Sequence, residues 1–263
     1  MKIKANGIHI NYRIDGPEGA PWVTMSNSLA TTHRMWDPQI AAFTQRYRVL
    51  RYDKRGHGET DVTPGPYSFE LLADDVLGLL DALQITRTHF VGLSMGGMTG
   101  MTMALRKPSV LRTLVLCDTA SRDPLGDPAL WQQRIDAIKA GGGMEALVES
   151  TVARFLTPET VKTRPAVADA VRAMVRTTPT EGYIACCQAI AKLNLTDRLP
   201  TIAIPTLVVV GADDPATTVP MAETIHQRIP GSELAVLKQA AHLSNLEQVE
   251  AFNAAVLGFL ARH

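Results

Sequence analysis

Cysteine is scarce: three residues in a chain of 263, and two of them, Cys186 and Cys187, are adjacent. Adjacent cysteines cannot build an ordinary disulfide framework. Cys117 ends the apolar run Leu111–Cys117 and reads as a buried strand residue. A reducing compartment follows as the expectation. Net charge is also missing, since Lys+Arg and Asp+Glu both count 26. Phosphate binding leans on a basic surface, so nucleic acid is excluded as the main partner. A local patch for a small anionic substrate remains open. No stretch reaches the roughly 18 consecutive apolar residues of a membrane span. The first residues, MKIKANGIHINYRIDG, contain no apolar core of a signal peptide. The expected localisation is therefore cytoplasmic, without a membrane partner. Zero net charge sets no electrostatic barrier against a homo-oligomer. Neither G-x-x-x-x-G-K-[ST] nor a G-x-G-x-x-G after a strand occurs. No His/Cys/carboxylate group has metal-site spacing, so neither metal nor cofactor is indicated.

What is present belongs to a globular protein: 46% hydrophobic and 20% charged residues. The length suits one large α/β domain that needs no disulfide support. Asn6-Gly7, flanked by alternating residues, predicts a hairpin over residues 2–14. From Trp22 to Asp118 short apolar strands alternate with helical periodicity. Strands are expected at Trp22–Ser26, Tyr47–Tyr52, Thr88–Leu93 and Leu111–Asp118. Helices are expected at Trp36–Gln45, Tyr67–Leu83 (Ser68 as N-cap) and from the elbow to about Lys107. Such alternation argues for a parallel sheet with crossover helices. It breaks from Arg122 to Leu199, where only helical stretches occur: Pro128–Ala140, Met144–Phe155, Pro158–Arg176 and Glu181–Ala191. An insertion of about 80 residues between two strands is expected to sit over the strand ends as a lid. The alternation then resumes with strand Ile204–Gly211, helix Val219–Ile229, strand Ser232–Leu237 and helix Asn245–Ala261.

The chemistry centres on Gly92-Leu93-Ser94-Met95-Gly96, which fits the G-x-S-x-G nucleophile elbow. A strand turning straight into a helix crowds two backbones, and the glycines remove the side chains that would collide. Ser94 needs a base to become a nucleophile. Seven histidines compete, and His242 stands out because it follows the last strand and precedes the last helix. An open α/β sheet delivers residues to its carboxyl edge there. His33 and His57 also follow strands. The acid expected to orient the histidine is Asp214, directly after a strand, with Asp213 as an exposed neighbour or N-terminal turn residue. Asp118, at the end of an earlier strand, is the rival. The order Ser94, Asp214, His242 is the one expected for this elbow. The oxyanion donors are assigned to the N–H groups of Met95 and Leu29. Asp53-Lys54-Arg55-Gly56-His57-Gly58 reads as a tight turn fixed by two glycines and a buried charge. Trp131, Arg134 and Ile138 lie on one stripe of a helix in the insertion, where core packing is the plain reading.

With these residues assigned, the chain resembles the α/β-hydrolase superfamily over its whole length. Within it the chain is similar to the 3-oxoadipate enol-lactonases. That likeness is carried by Ser26-Asn27-Ser28-Leu29, Met35-Trp36-Asp37-Pro38-Gln39, Leu50-Arg51-Tyr52-Asp53, Arg55-Gly56-His57-Gly58, Gly92–Gly97 and Ala241-His242-Leu243-Ser244-Asn245. Asn27-Ser28 stands where most relatives carry a His-Gly pair. The resemblance implies an α/β fold with a mostly parallel eight-stranded sheet. Residues 1–121 and 200–263 would form the core and 122–199 a helical cap. It implies a carboxylic ester hydrolase that opens a small carboxylated enol-lactone through an acyl-enzyme, without cofactor, in aromatic catabolism (the β-ketoadipate pathway). A charged lactone calls for a cation in the lid, and Arg134, one helical turn from Trp131, is the candidate. A general carboxylesterase or other lactone hydrolase, a cofactor-free perhydrolase and a non-enzymatic receptor on the same fold are the alternatives. A dehalogenase is disfavoured because its chemistry wants a carboxylate at position 94.

Overall fold

The computed structural model describes residues 1–263. The strands are β1 (Lys2–Ala5), β2 (Ile8–Asp15), β3 (Trp22–Ser26), β4 (Arg48–Tyr52), β5 (Thr88–Leu93), β6 (Leu111–Cys117), β7 (Thr206–Gly211) and β8 (Glu233–Leu237). They form one eight-stranded sheet in the order β1-β2-β4-β3-β5-β6-β7-β8. Only the pairs β1–β2 and β2–β4 are antiparallel; the rest are parallel. Asn6 and Gly7 take φ of 45° and 79°, the left-handed pair that a two-residue hairpin requires. β5 is buried at every residue: sheet neighbours flank it on both edges, and helix Met95–Arg106 packs against it. Its last residues align with the ends of β3 and β6, Gly92 opposite Ser26 and Leu93 opposite Cys117. The loops after β3, β5, β6, β7 and β8 therefore emerge at one carboxyl edge.

Helices form where the apolar period and the caps agree. Phe69–Ala82 starts at Ser68, whose hydroxyl accepts the Leu71 N–H at 3.2 Å. A cap of this kind stabilises a helix by about 1 kcal/mol. The helix buries Leu72, Val76, Leu79 and Leu80 against the sheet. The insertion leaves the sheet after β6 and returns before β7. Its two ends are clasped by an antiparallel bridge between Arg122 and Asn194. The Asp123 N–H to Leu193 O and Leu195 N–H to Ser121 O bonds extend that clasp.

Three expected helices are interrupted. Pro158–Arg176 is two helices, Pro158–Thr163 and Pro165–Arg176. Arg164 between them sits at φ −130°, ψ 60°, because the proline ring disfavours helical geometry in the residue before it. Met144–Phe155 begins as a 3₁₀ turn over Gly143–Leu147 and becomes α-helical only at Val148. The final helix is a single turn, Ser244–Glu247, then Val249–Leu260, with Gln248 non-helical between them.

Candidate active site

Ser94 directly follows β5 and is the N-cap residue of the buried helix Met95–Arg106. Its backbone sits at φ 55°, ψ −115°, a strained region that a non-glycine residue holds only when its surroundings enforce it. The glycines supply that enforcement by allowing contact. A Cβ on Gly92 would lie 2.3 Å from Gly96 O, and one on Gly96 would lie 2.1 Å from Ser26 O. The Ser94 N–H donates to Cys117 O at 2.8 Å, and Ser94 O accepts the Thr119 hydroxyl at 2.7 Å. The elbow is thus pinned to the end of β6.

Asp214 follows β7 and His242 follows β8. His242 Nδ1 lies 2.9 Å from Asp214 Oδ2. The same oxygen accepts the Thr217 hydroxyl at 2.7 Å, and Oδ1 accepts the Ala216 and Thr217 N–H groups at 2.7 and 3.0 Å. Burial alone would raise the Asp214 carboxyl. The facing His242 and the hydrogen bonds from His242 and Thr217 outweigh it and hold the group below the usual carboxylate range. Asp213 is exposed, as expected for the neighbour. The rival Asp118 is used elsewhere: Oδ1 accepts the Gly211 N–H at 2.8 Å and Oδ2 bonds the Ser244 hydroxyl at 2.6 Å. Full burial, with the Asp214 charge nearby, drives the Asp118 carboxyl well above its ordinary range.

Ser94, His242, Ser28 and Leu29 line one cavity of about 310 Å3. From the insertion, Trp131, Arg134, Arg154, Phe155 and Ile190 close over it. A larger cavity of about 650 Å3 lies between the Thr32–Pro38 loop and helix Pro165–Arg176 and contains neither Ser94 nor His242. The Phe155 ring packs on the His242 imidazole, centroids 5.1 Å apart. Trp131 is buried and donates its indole N–H to Asp123 at 2.7 Å. The Arg134 guanidinium lies 5.3 Å from the Trp131 ring centre, and that of Arg154 lies 5.6 Å from Phe155. Neither arginine forms an ion pair with an acid of the chain. Burial, and then the neighbouring Arg134, lower the Arg154 pKa. Two cations without an acidic partner line one small cavity, an arrangement whose field favours negative charge.

The loop after β3 is braced from several sides. Asn27 Nδ2 donates to Thr31 O at 2.6 Å, and the Thr31 hydroxyl donates to Ser28 O at 2.9 Å. The Ala30 N–H donates to His57 Nε2 at 3.1 Å. That bond requires a neutral imidazole with its proton on Nδ1. Burial, then the nearby Lys54, depress the His57 pKa to about 4, which keeps it neutral. The braces fix the main chain at Leu29, beside the cavity. Met95 does not line the cavity; its side chain is buried in the core. Its N–H is the first of its helix and has no intrahelical acceptor.

The structure joins Asp214 to His242 and brings Ser94, Leu29, Trp131 and Arg134 to one cavity. Arg154 was missed by sequence reasoning. Its spacing from Phe155 carries no motif, and only the fold turns both towards the cavity. His57 lies in the tight turn that the sequence predicts, with Gly56 and Gly58 at φ 73° and 54°, a buried Arg55–Asp75 ion pair, and Asp53 accepting from His33, Asn11 and Glu59. His57 additionally braces the loop that carries Leu29.

Comparison with known proteins fits this geometry. The family profile described as the alpha/beta hydrolase fold matches residues 21–249. The chain is 37% identical to 3-oxoadipate enol-lactonase 1 and 36% identical to 3-oxoadipate enol-lactonase 2 of Acinetobacter baylyi. Each match covers 99% of this chain and 96% of the relative. The crystal structure of the enol-lactonase from Burkholderia xenovorans LB400 superposes with a TM-score of 0.95 at 40% identity, covering 99% of this chain and 100% of that one. The chain is a hydrolase acting on ester bonds, and it belongs to the alpha/beta hydrolase fold family.

Proposed function

We propose that this hydrolase opens a small enol-lactone bearing a carboxylate, of the 3-oxoadipate enol-lactone type, through an acyl-enzyme on Ser94. The observation that carries the reading is the pair Arg134 and Arg154. Both lack an acidic partner, and both face the cavity that holds Ser94 and His242. The identity to enol-lactonases over the whole chain supports the same substrate class. Residues 122–199 act as the cap over a core of residues 1–121 and 200–263.

In this mechanism His242 takes the Ser94 hydroxyl proton as Oγ attacks the lactone carbonyl. Asp214, held as the anion, stabilises the imidazolium and fixes its orientation. The N–H groups of Met95 and Leu29 receive the tetrahedral oxyanion; losing one such donor costs about 10²–10³ in rate. Collapse breaks the bond to the ring oxygen, which leaves as an enolate and takes the proton from His242. The enol relaxes to a ketone, so ring opening runs downhill. Water, deprotonated by His242, then attacks the acyl group and releases Ser94. Arg134, over Trp131, and Arg154 hold the carboxylate that does not react.

The arginines give the test. A hydrogen bond to a charged group contributes about 1.5–3 kcal/mol, or roughly 10- to 150-fold. Arg134→Ala and Arg154→Met should each lower kcat/KM for the anionic lactone by about that factor and change a neutral ester by less than about threefold. Equal losses on both substrates would reject the assigned role and favour a general carboxylesterase.

A further inference from the structure

Glu247 is buried, 4% exposed, at the end of the helical turn that follows His242. Its carboxylate has no cationic partner and accepts three hydrogen bonds from two separate segments. Oε1 takes the Thr157 N–H at 2.8 Å and the Thr157 hydroxyl at 2.7 Å. Oε2 takes the Ala241 N–H at 2.6 Å. Three further links run in parallel. The Leu243 N–H donates to Phe155 O at 3.0 Å, and the Arg164 guanidinium donates to Glu247 O at 2.9 Å and to Leu246 O. The segment so joined to the insertion contains His242. The segment it is joined to contains Phe155, which packs on His242, and lies next to Arg154.

A buried carboxylate is unfavourable unless its oxygens are hydrogen-bonded. An apolar residue could fill the same space without that penalty. What a carboxylate alone offers here is two acceptor atoms on one rigid group, aimed at donors of different segments. We propose that Glu247 is a positioning residue that locks the His242 loop to the Phe155–Thr157 arm of the insertion, so that the base and the anion-binding wall share one geometry. The proposal rests on the reading of His242 as the base.

Glu247→Gln tests it sharply. Glutamine has one acceptor, so its NH₂ must face either the Thr157 N–H or the Ala241 N–H, and one half of the link breaks. Misplacement of a catalytic group by about 1 Å can cost up to about 10² in rate. With sites counted by fluorophosphonate titration, kcat per active site should fall at least about tenfold on both the anionic lactone and a neutral ester. Thr157→Val removes one donor on the insertion side only. It should raise KM for the anionic lactone about threefold and leave kcat on the neutral ester within about twofold. A residue that only supports the fold would lower the melting temperature and the count of active sites but leave kcat per site unchanged. That outcome for Glu247→Gln overturns the proposal. If Glu247→Gln does not fold, an unchanged KM in Thr157→Val overturns it instead. Ser94→Ala and His242→Ala serve as controls. Activity surviving in them rejects the triad itself, whereas a silent Glu247→Gln beside dead controls rejects only the positioning role.

Discussion

Lys54 offers the clearest test of how the core meets the insertion. The side chain is 2% exposed, and its Nζ has no hydrogen-bond partner in the chain. It sits in the Asp53–Gly58 turn, beside Cys186 of helix Thr180–Ile190. Turn and helix touch through backbone: a Cβ on Gly182 would lie 2.1 Å from Gly56 O. Burial lowers the Lys54 pKa from 10.5 to about 7, against a small opposing effect of Cys186. The sign follows from linkage. Below pH 7 the ammonium is present in both folded and unfolded chains, and its burial destabilises in full. Between about 7 and 10.5 the unfolded chain binds a proton that the folded chain does not, so stability rises with pH. Above 10.5 both forms are neutral and the effect is gone. The drop in proton affinity amounts to about 5 kcal/mol at most, at roughly 1.4 kcal/mol per tenfold change. Lys54→Met keeps the length and removes the charge. Urea unfolding of both proteins at pH 6.5, 8 and 9.5 should show the variant more stable by several kcal/mol at pH 6.5. The gap should narrow by about 1.4 kcal/mol for each pH unit across the window. Taking the difference cancels the titrating groups that Lys54 does not touch; His57, which it does, is depressed to about 4, below the window. A gap that stays constant or widens with pH would refute the reasoning.

Asp214→Asn removes the anion behind the base and should lower kcat by about 10⁴ while the fold persists. Asp118→Asn should change kcat by less than about threefold, because its partners are the Gly211 N–H and the Ser244 hydroxyl and not His242. Steady-state assays of the two variants side by side check the assignment of the acid; the reverse ranking would give the role to Asp118. Gly96→Ala places a Cβ against Ser26 O, so β3 and the elbow must separate. Unfolding free energy should fall by about 1–3 kcal/mol, and turnover should fall further than stability because the Leu29 loop moves with β3. Thermal melts beside kcat measurements separate the two effects.

The elbow was legible because its causes are local. Glycines beside a serine, at the end of an apolar run, leave few conformations, and Ser94 adopts the strained one they permit. Asn6-Gly7 set the hairpin for the same reason. Asp214 and His242 were legible through topology, since strand–helix alternation puts the residues after β7 and β8 on the edge where β5 ends. The break at Pro165 follows a local rule too, but the apolar period runs across it nearly in phase and hides it. Arg154, Glu247 and the His57 brace were not legible. Glu247 meets Thr157 across 90 residues of chain, and His57 meets Ala30 across 27. No periodicity marks such pairs, because the fold alone makes them neighbours. This limit matters most in the insertion, which supplies Trp131, Arg134, Arg154, Phe155 and Ile190 to the cavity wall.

The most direct measurement compares kcat/KM of the unmodified protein on 3-oxoadipate enol-lactone and on the same lactone with its carboxylate masked as the methyl ester. Ring opening is followed by loss of the enol-lactone absorbance. Two arginines on one carboxylate predict a preference for the anion of about 10²-fold or more, abolished with all turnover in Ser94→Ala. Equal rates on the two lactones, or turnover that survives Ser94→Ala, would contradict the account.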